Sequence, residues 1–213
     1  MNRRHFLMAG SALVGLAVSG LWQSAAFANE PAMAEAAAPN VADIIIGNPD
    51  AKVTMIEYGS YSCPACANFH KTVFKDLKKD YIDTGKIRFI YREMYLNRPA
   101  LWAAMVVRCG GEMRYFGLQD MIYTQQDQWY TPNDPGNMVA ELSRIGKLAG
   151  IEPATLEACL QDGAMAKAMV EKSEAEATAD DVTATPTLFI NGKKYSGMSY
   201  ADLKDIIDPL LAE

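Results

Sequence analysis

The chain has 213 residues, of which 50% are hydrophobic and 22% are charged, with 26 acidic against 20 basic side chains. This acidic balance argues against nucleic acid as a partner, and the length suffices for one domain, with or without an insertion. The 4 cysteines are an even number, which in an exported protein fits two disulfides.

Residues 1–28 are predicted to form a secretory leader. Arg3 and Arg4 give it a positive start, residues 7–22 are mostly apolar, and residues 26–28 (Ala-Phe-Ala) are a small-x-small cleavage site. The apolar stretch is short for a membrane span, so a retained anchor is the lesser interpretation. The order Arg-Arg-x-Phe-Leu also resembles a twin-arginine signal, and an ordinary Sec leader stays open beside it. Both routes lead out of the cytosol, where disulfides persist.

The first part of the mature chain predicts a flexible entry segment and then two strands. Residues 29–40 are rich in alanine, proline and glutamate, which predicts the flexible segment. Residues 44–46 are a candidate edge strand, and the β-branched, apolar run 53–58 is a candidate buried strand. Past residue 64, apolar side chains recur at every fourth position, which predicts a helix with one apolar face. These side chains are Phe69, Val73, Leu77 and Tyr81.

Cys63 and Cys66 stand two residues apart at the junction between this strand and this helix. Free backbone N–H groups and the positive end of the helix dipole favour an anion there, and a thiolate is such an anion. The position therefore predicts a redox-active pair, with Cys63 as the exposed nucleophile and Cys66 as its buried partner. A zinc site needs further ligands, but Cys109 and Cys159 are far apart and one of the two histidines lies in the leader. No metal is expected.

The chain beyond this helix predicts first a strand and then a block of helices. The β-rich run 87–92 and strand 53–58 predict a parallel pair with a right-handed crossover. Helical patterns then fill residues 98–181.

The C-terminal part predicts a hairpin and a last helix. Asn191-Gly192 separates two short apolar or mixed runs, as in a hairpin with a type I′ turn. Ser199 and Asp202 indicate a capping box for the last helix, and Pro209 is expected to kink or shorten it.

Together, these features resemble the thioredoxin-fold disulfide oxidoreductases, in their periplasmic DsbA-like branch. The resemblance rests on the Cys-Pro-Ala-Cys motif and on Glu57, six residues before Cys63, where the family has its buried acid. It rests also on Thr185-Pro186 before the apolar run 187–190, which is similar to the cis-proline loop of this fold.

The resemblance implies an α/β fold of the thioredoxin-like class with an inserted all-helical domain. Residues 41–97 and 182–213 would form the thioredoxin-like domain, and residues 98–181 the insertion.

The resemblance also implies roles for individual residues. Cys63 would be attacked by a substrate thiolate while Cys66 leaves, and Glu57 would pass a proton to or from Cys66. An exposed strand glutamate is the alternative for Glu57. A cis bond before Pro186 would expose the backbone of Thr185 to an extended substrate, and a trans proline that starts an edge strand is the alternative.

Two further features are interpreted from the residues themselves. Cys109 and Cys159 are predicted to form a structural disulfide, with two buried free thiols as the alternative. His70, one turn beyond Cys66, is interpreted as a satisfied, half-buried histidine and not as a catalytic base.

The chain is thus predicted to be a periplasmic enzyme that introduces disulfides into reduced exported proteins. It would need no cofactor, and the family implies reoxidation by a membrane quinone-linked, DsbB-like oxidase. A reductase or isomerase of the same fold is the first alternative. A periplasmic protein that binds copper or another soft metal through Cys63 and Cys66 is the second.

Overall fold

The computed structural model describes residues 39–212. The predicted leader, and all but the last two residues of the predicted flexible segment, lie outside this range. Among residues 39–212 there is no helix of the length and apolar character that a membrane crossing requires.

A mixed sheet of five strands forms the centre of the fold, in the order β1-β3-β2-β4-β5. β2 and β3 are parallel, and the other three neighbouring pairs are antiparallel. The edge position of β1, the parallel pair and the C-terminal hairpin are confirmed. The strands are β1 (Ile44–Gly47), β2 (Val53–Gly59), β3 (Ile87–Glu93), β4 (Thr187–Ile190) and β5 (Lys193–Ser196).

The connection from β2 to β3 is a helical run of mixed character, which we call the first helix. Its segments are α1 (Pro64–Phe69), π1 (His70–Phe74), α2 (Lys75–Leu77) and π2 (Lys78–Ile82). The sequence predicts a buried apolar side chain at every fourth position of this helix. The π segments alter that spacing, because each π turn contains one residue more than an α turn. As a result Phe74 is buried and Val73 only partly so, and Ile82 is buried beside Tyr81.

Six helices follow β3 and one follows β5. The short α5 is not anticipated by the sequence patterns; the others are. The helices are α3 (Arg98–Cys109), α4 (Glu112–Thr124), α5 (Gln126–Trp129), α6 (Pro135–Leu148), α7 (Pro153–Gln161), α8 (Gly163–Ala179) and α9 (Tyr200–Ala212).

Pro209 lies inside α9, which continues to Ala212. The expectation that Pro209 shortens this helix is therefore wrong. Pro209 and Asp205, one turn earlier, are both exposed. The carbonyl that loses its partner can therefore be hydrated, which lowers the cost of the proline.

The helices after β3 are joined to the sheet by a buried ion pair. Arg108 on α3 donates to both oxygens of Glu93 on β3, at 2.9 and 2.6 Å. Tyr115 on α4 donates its hydroxyl to the same carboxylate at 2.6 Å. Because Glu93 is only 6% exposed, these donors replace the water that an ionised carboxylate needs. The division into a thioredoxin-like and a helical domain at residues 98 and 181 stays a prediction.

Cys109 at the end of α3 and Cys159 on α7 form a disulfide with a Cα–Cα distance of 5.9 Å. The bridge closes a loop of 50 residues within the helical part. It lies apart from Cys63 and Cys66, which are free thiols in this structure.

Replacing both Cys109 and Cys159 with alanine should destabilise the protein by about 4 kcal/mol, because the unfolded chain regains the freedom of the open loop. Denaturant unfolding without reductant measures the difference. Under strongly reducing conditions the two proteins should unfold at nearly the same denaturant concentration. A difference of equal size with and without reductant would mean that packing, and not the cross-link, carries the stabilisation.

Candidate active site

Cys63 caps the first helix and ends the loop that leaves β2. Its backbone is extended, with φ −85° and ψ 119°, and Pro64 occupies the first helical position. Pro64 suits this position because the first N–H groups of a helix have no partner within the helix. The Cys63 N–H donates to the carbonyl of Ser60 at 3.0 Å, and its own carbonyl accepts from Ala67 at 3.1 Å. The nucleophile position is therefore fixed by the backbone on both sides.

The two thiols differ in burial. Cys66 is fully buried, and its Sγ accepts from the Ser60 N–H at 3.4 Å. Cys63 is 8% exposed, less than expected for an exposed nucleophile. Its Sγ lies 3.5 Å from the carbonyl oxygen of Thr185, and its accessible neighbours are Pro64 and Ala65. Cys63 is thus reached at the edge of a small exposed patch.

The surroundings separate the pKa values of the two thiols. The hydrogen bond from the Cys66 thiol, with help from the backbone N–H groups of Cys66 and Ala65 and against the effect of burial, lowers the pKa of Cys63 to about 5. The hydrogen bond to Cys63, burial and the negative charge of Glu57 all raise the pKa of Cys66. Near neutral pH, Cys63 is therefore the thiolate and Cys66 the thiol, which matches the roles expected from their positions.

Glu57 is fully buried, so the alternative of an exposed strand glutamate is wrong. Nε2 of His70 lies 3.0 Å from each of its two carboxylate oxygens. His70 is only 2% exposed and not half-buried, and π1 begins at this residue. The sequence patterns place His70 near Cys66 but do not identify it as the partner of Glu57.

The loop before β4 faces Cys63. The peptide bond between Thr185 and Pro186 is cis, the geometry that the resemblance implies. Thr185 Oγ1 is buried, and the Thr185 side chain helps to lower the pKa of Cys63. Pro186 also borders a groove of about 240 Å³ beside the first helix. Its other walls include Ala65, Phe69, Val73, Leu188 and Met198.

Gln126 on α5 holds the loop that carries Cys63 and is not found by sequence reasoning. Its side-chain amide donates to the carbonyl of Tyr61 at 2.6 Å and to the carbonyl of Cys63 at 3.1 Å. Local sequence carries no signal for this contact, because Gln126 is more than 60 residues away and α5 has a single turn. The helical part thereby contributes directly to the position of Cys63.

Among residues 39–212, no group of three or more His, Cys, Asp or Glu residues is arranged to hold a metal ion. Cys109 and Cys159, the remaining cysteines, are engaged with each other on α3 and α7.

The dithiol lies at the start of the first helix, opposite an X-Pro loop, on a sheet with the strand order β1-β3-β2-β4-β5. This arrangement defines a thioredoxin-fold protein with a Cys-x-x-Cys site. The family model described as thioredoxin matches residues 39–209, and the chain belongs to this family. The predicted thioredoxin-like fold with a helical insertion is confirmed.

Two solved or curated relatives define the branch. The chain resembles the crystal structure of Wolbachia pipientis alpha-DsbA1, with a TM-score of 0.75 and 28% identity over 83% of this chain and 94% of that one. It is 27% identical to Disulfide bond formation protein D of Bacillus subtilis, over 77% of this chain and 75% of that protein. The predicted resemblance to DsbA is confirmed.

A Rickettsia bellii protein provisionally named protein-disulfide oxidoreductase is 33% identical over 172 residues, or 80% of this chain. The match covers 65% of that protein and 61% of its Rickettsia conorii counterpart. The chain therefore spans less than two thirds of the length of these rickettsial relatives.

Cys63 should react with iodoacetamide in the reduced protein with a rate that rises around pH 5 and is constant near neutral pH, because alkylation requires the thiolate. Cys66 should stay unlabelled over this range because it is buried and its pKa is raised. Mass spectrometry of the labelled peptides across a pH series distinguishes the two. First labelling at Cys66 would reverse the assignment.

Replacing Gln126 with methionine should destabilise the reduced protein by about 1 to 3 kcal/mol, because it removes the amide donor from two carbonyls of the Cys63 loop. Gln119 on α4 is the matched control. It is fully buried, and its amide makes no hydrogen bond within residues 39–212, so Gln119→Met should be neutral or stabilising. Urea unfolding of both variants measures the contrast. Equal losses would show that Gln126 acts only by packing.

Proposed function

We propose that this protein is a protein-disulfide oxidoreductase that donates its Cys63–Cys66 disulfide to dithiol substrates. The observation that carries the proposal is the pair of opposed thiol environments at the start of the first helix. The pKa of Cys63 is lowered to about 5 while that of Cys66 is raised. The names of the rickettsial and Bacillus relatives support the same activity.

The exchange begins with the oxidised protein. A substrate thiolate attacks Cys63 Sγ, the bond to Cys66 breaks, and Cys66 leaves with the electron pair and takes up a proton. A second substrate thiolate then attacks the substrate sulfur of the mixed disulfide, and Cys63 leaves as the thiolate. The substrate loses two electrons and the protein gains them, so both cysteines end reduced.

The low pKa of Cys63 favours the oxidising direction. A stable thiolate stabilises the reduced protein, which makes its disulfide a stronger oxidant, and it is also the better leaving group in the second step. We therefore place the protein among oxidases and not among reductases or isomerases of the same fold. Glu57 is the group that exchanges the proton with Cys66, because it is buried and its charge acts on that thiol.

Thr185 and Pro186 are the proposed substrate-binding residues. The Thr185 carbonyl contacts Cys63 Sγ, so its backbone lies beside any chain bonded to that sulfur and can pair with it as an added strand. The groove bordered by Pro186 and Ala65 is lined mainly by apolar side chains. An unfolded substrate exposes apolar side chains next to its cysteines, so reduced, unfolded proteins fit this site.

We place this activity in the periplasm, with reoxidation by a DsbB-like, quinone-linked membrane protein. The Cys109–Cys159 disulfide supports a compartment outside the cytosol, because such bridges persist where the surroundings are oxidising. An oxidant is required in every cycle, since each substrate disulfide leaves Cys63 and Cys66 reduced.

Cys66→Ser, first loaded with glutathione as a mixed disulfide at Cys63, should trap a reduced, unfolded substrate that has a single cysteine. The substrate thiolate attacks Cys63 Sγ, glutathione leaves as the thiolate, and no second thiol remains to release the substrate. Cys63→Ser is the matched control and should trap none, because Cys66 is buried. Non-reducing electrophoresis followed by mass spectrometry identifies the bridge. Trapping by Cys63→Ser alone would contradict the proposal.

The direction of the reaction is tested by the glutathione equilibrium of the wild-type protein and by two refolding assays. An oxidase restores a reduced, unfolded substrate faster than it repairs one with scrambled disulfides. The opposite preference would assign the protein to the isomerases, and a disulfide that glutathione does not readily reduce would assign it to the reductases.

A further inference from the structure

His70 is a buried titratable residue that has no part in the exchange steps above. Its Nε2 lies at the same distance, 3.0 Å, from both carboxylate oxygens of Glu57. One ring N–H shared between two oxygens fits an ionised carboxylate, since a neutral acid carries its own proton on one oxygen. The geometry therefore stabilises the anionic form of Glu57 in a site without exposure to water.

Four aromatic rings from neighbouring elements surround the His70 imidazole. It stacks on Tyr123 of α4, with centroids 4.2 Å apart and planes 21° apart, and packs on Phe74 at 4.4 Å. Phe69 and Tyr91 approach edge-on at 5.8 and 5.9 Å. The π segment π1 begins at His70, and such π turns are frequent at functional sites. The low local polarity strengthens its hydrogen bond to Glu57.

The other titratable groups that face this pair are Cys66 from α1, Tyr91 from β3 and Tyr123 from α4. The hydroxyls of Tyr91 and Tyr123 bind each other at 2.5 Å, and burial raises the pKa of both well above the usual range. Both stay protonated near neutral pH. Among these groups Glu57 is therefore the one that can accept a proton from Cys66.

We propose that His70 is a positioning residue that holds Glu57 ionised and oriented, and thereby sets the pH range in which Glu57 accepts the proton of Cys66. This inference rests on the proposed function. In the step concerned, the S–H bond of Cys66 breaks, its proton passes to a carboxylate oxygen of Glu57, and the sulfur electron pair attacks Cys63 Sγ of a mixed disulfide. The bond between Cys63 and the substrate breaks, and the substrate leaves as a thiolate. The reverse of this step begins the oxidation of a substrate.

His70→Phe is the main test, because phenylalanine fits the aromatic enclosure but has no N–H for Glu57. A buried carboxylate without a donor binds its proton at higher pH, and the protonated acid cannot accept another from Cys66. The measured quantity is the rate at which Cys66 releases glutathione from a Cys63–glutathione mixed disulfide, across a pH series. The acid limb of this profile should move upward by about one pH unit or more in His70→Phe.

Three variants separate positioning from packing. His70→Gln keeps an N–H donor and should restore a profile close to that of the wild type. Phe74→Leu alters the packing but keeps an apolar side chain against the imidazole, so the hydrogen bond and the acid limb should stay in place. Glu57→Gln should be slow at every pH, and adding His70→Phe to it should move the profile no further, because the group that His70 acts upon is gone.

An unshifted acid limb in His70→Phe would overturn the inference and leave the proposed function intact. Failure of the wild type to release glutathione through Cys66 would instead overturn the proposed function.

Discussion

The sulfur of Cys63 must be stabilised as an anion in a protein whose formal net charge is already −6. The interactions that lower its pKa are hydrogen bonds from neutral groups: first the Cys66 thiol, then the Thr185 side chain, and then backbone N–H groups of α1. Such donors act only at hydrogen-bond distance and with good alignment, unlike a positive charge. The site therefore depends on where the first helix begins and on how firmly the preceding loop is held. Pro64, the Ser60 carbonyl and Gln126 meet these two requirements.

Glu57 and Glu93 are buried carboxylates on neighbouring strands, and the residue that binds each one determines its role. Gly59 is opposite Glu93 in the parallel register, so Glu57 and Glu93 are directed to the same side of the sheet. Glu93 is bound by Arg108, which does not lose its proton in proteins, and this ion pair joins helix to sheet. Glu57 is bound by His70, whose ring can gain or lose a proton. Only the second arrangement suits a group that exchanges protons.

The fold could be predicted from the sequence where local chemistry determines it. Strand periodicity, the Asn191-Gly192 turn and the proline at the start of α1 are local signals, and each corresponds to an element in the structure. The π segments could not be predicted, because they depend on how the side chains of the first helix pack against the sheet and α4. Pro209 was misjudged for a related reason, since its cost depends on exposure that the sequence does not show.

The active site likewise has a part that local sequence predicts and a part that it does not. The two cysteines are close in the sequence, whereas groups that hold their surroundings in place come from distant elements. Gln126 reaches Cys63 from α5, and Tyr123 closes the enclosure of His70 from α4. Without these helices, the carbonyls of Tyr61 and Cys63 and one face of the His70 imidazole would be open to water. Hydrogen bonds are weaker in water than in the protein interior. The helices after β3 therefore hold the loop that carries Cys63 and enclose His70, and this accounts physically for their packing over the start of the first helix.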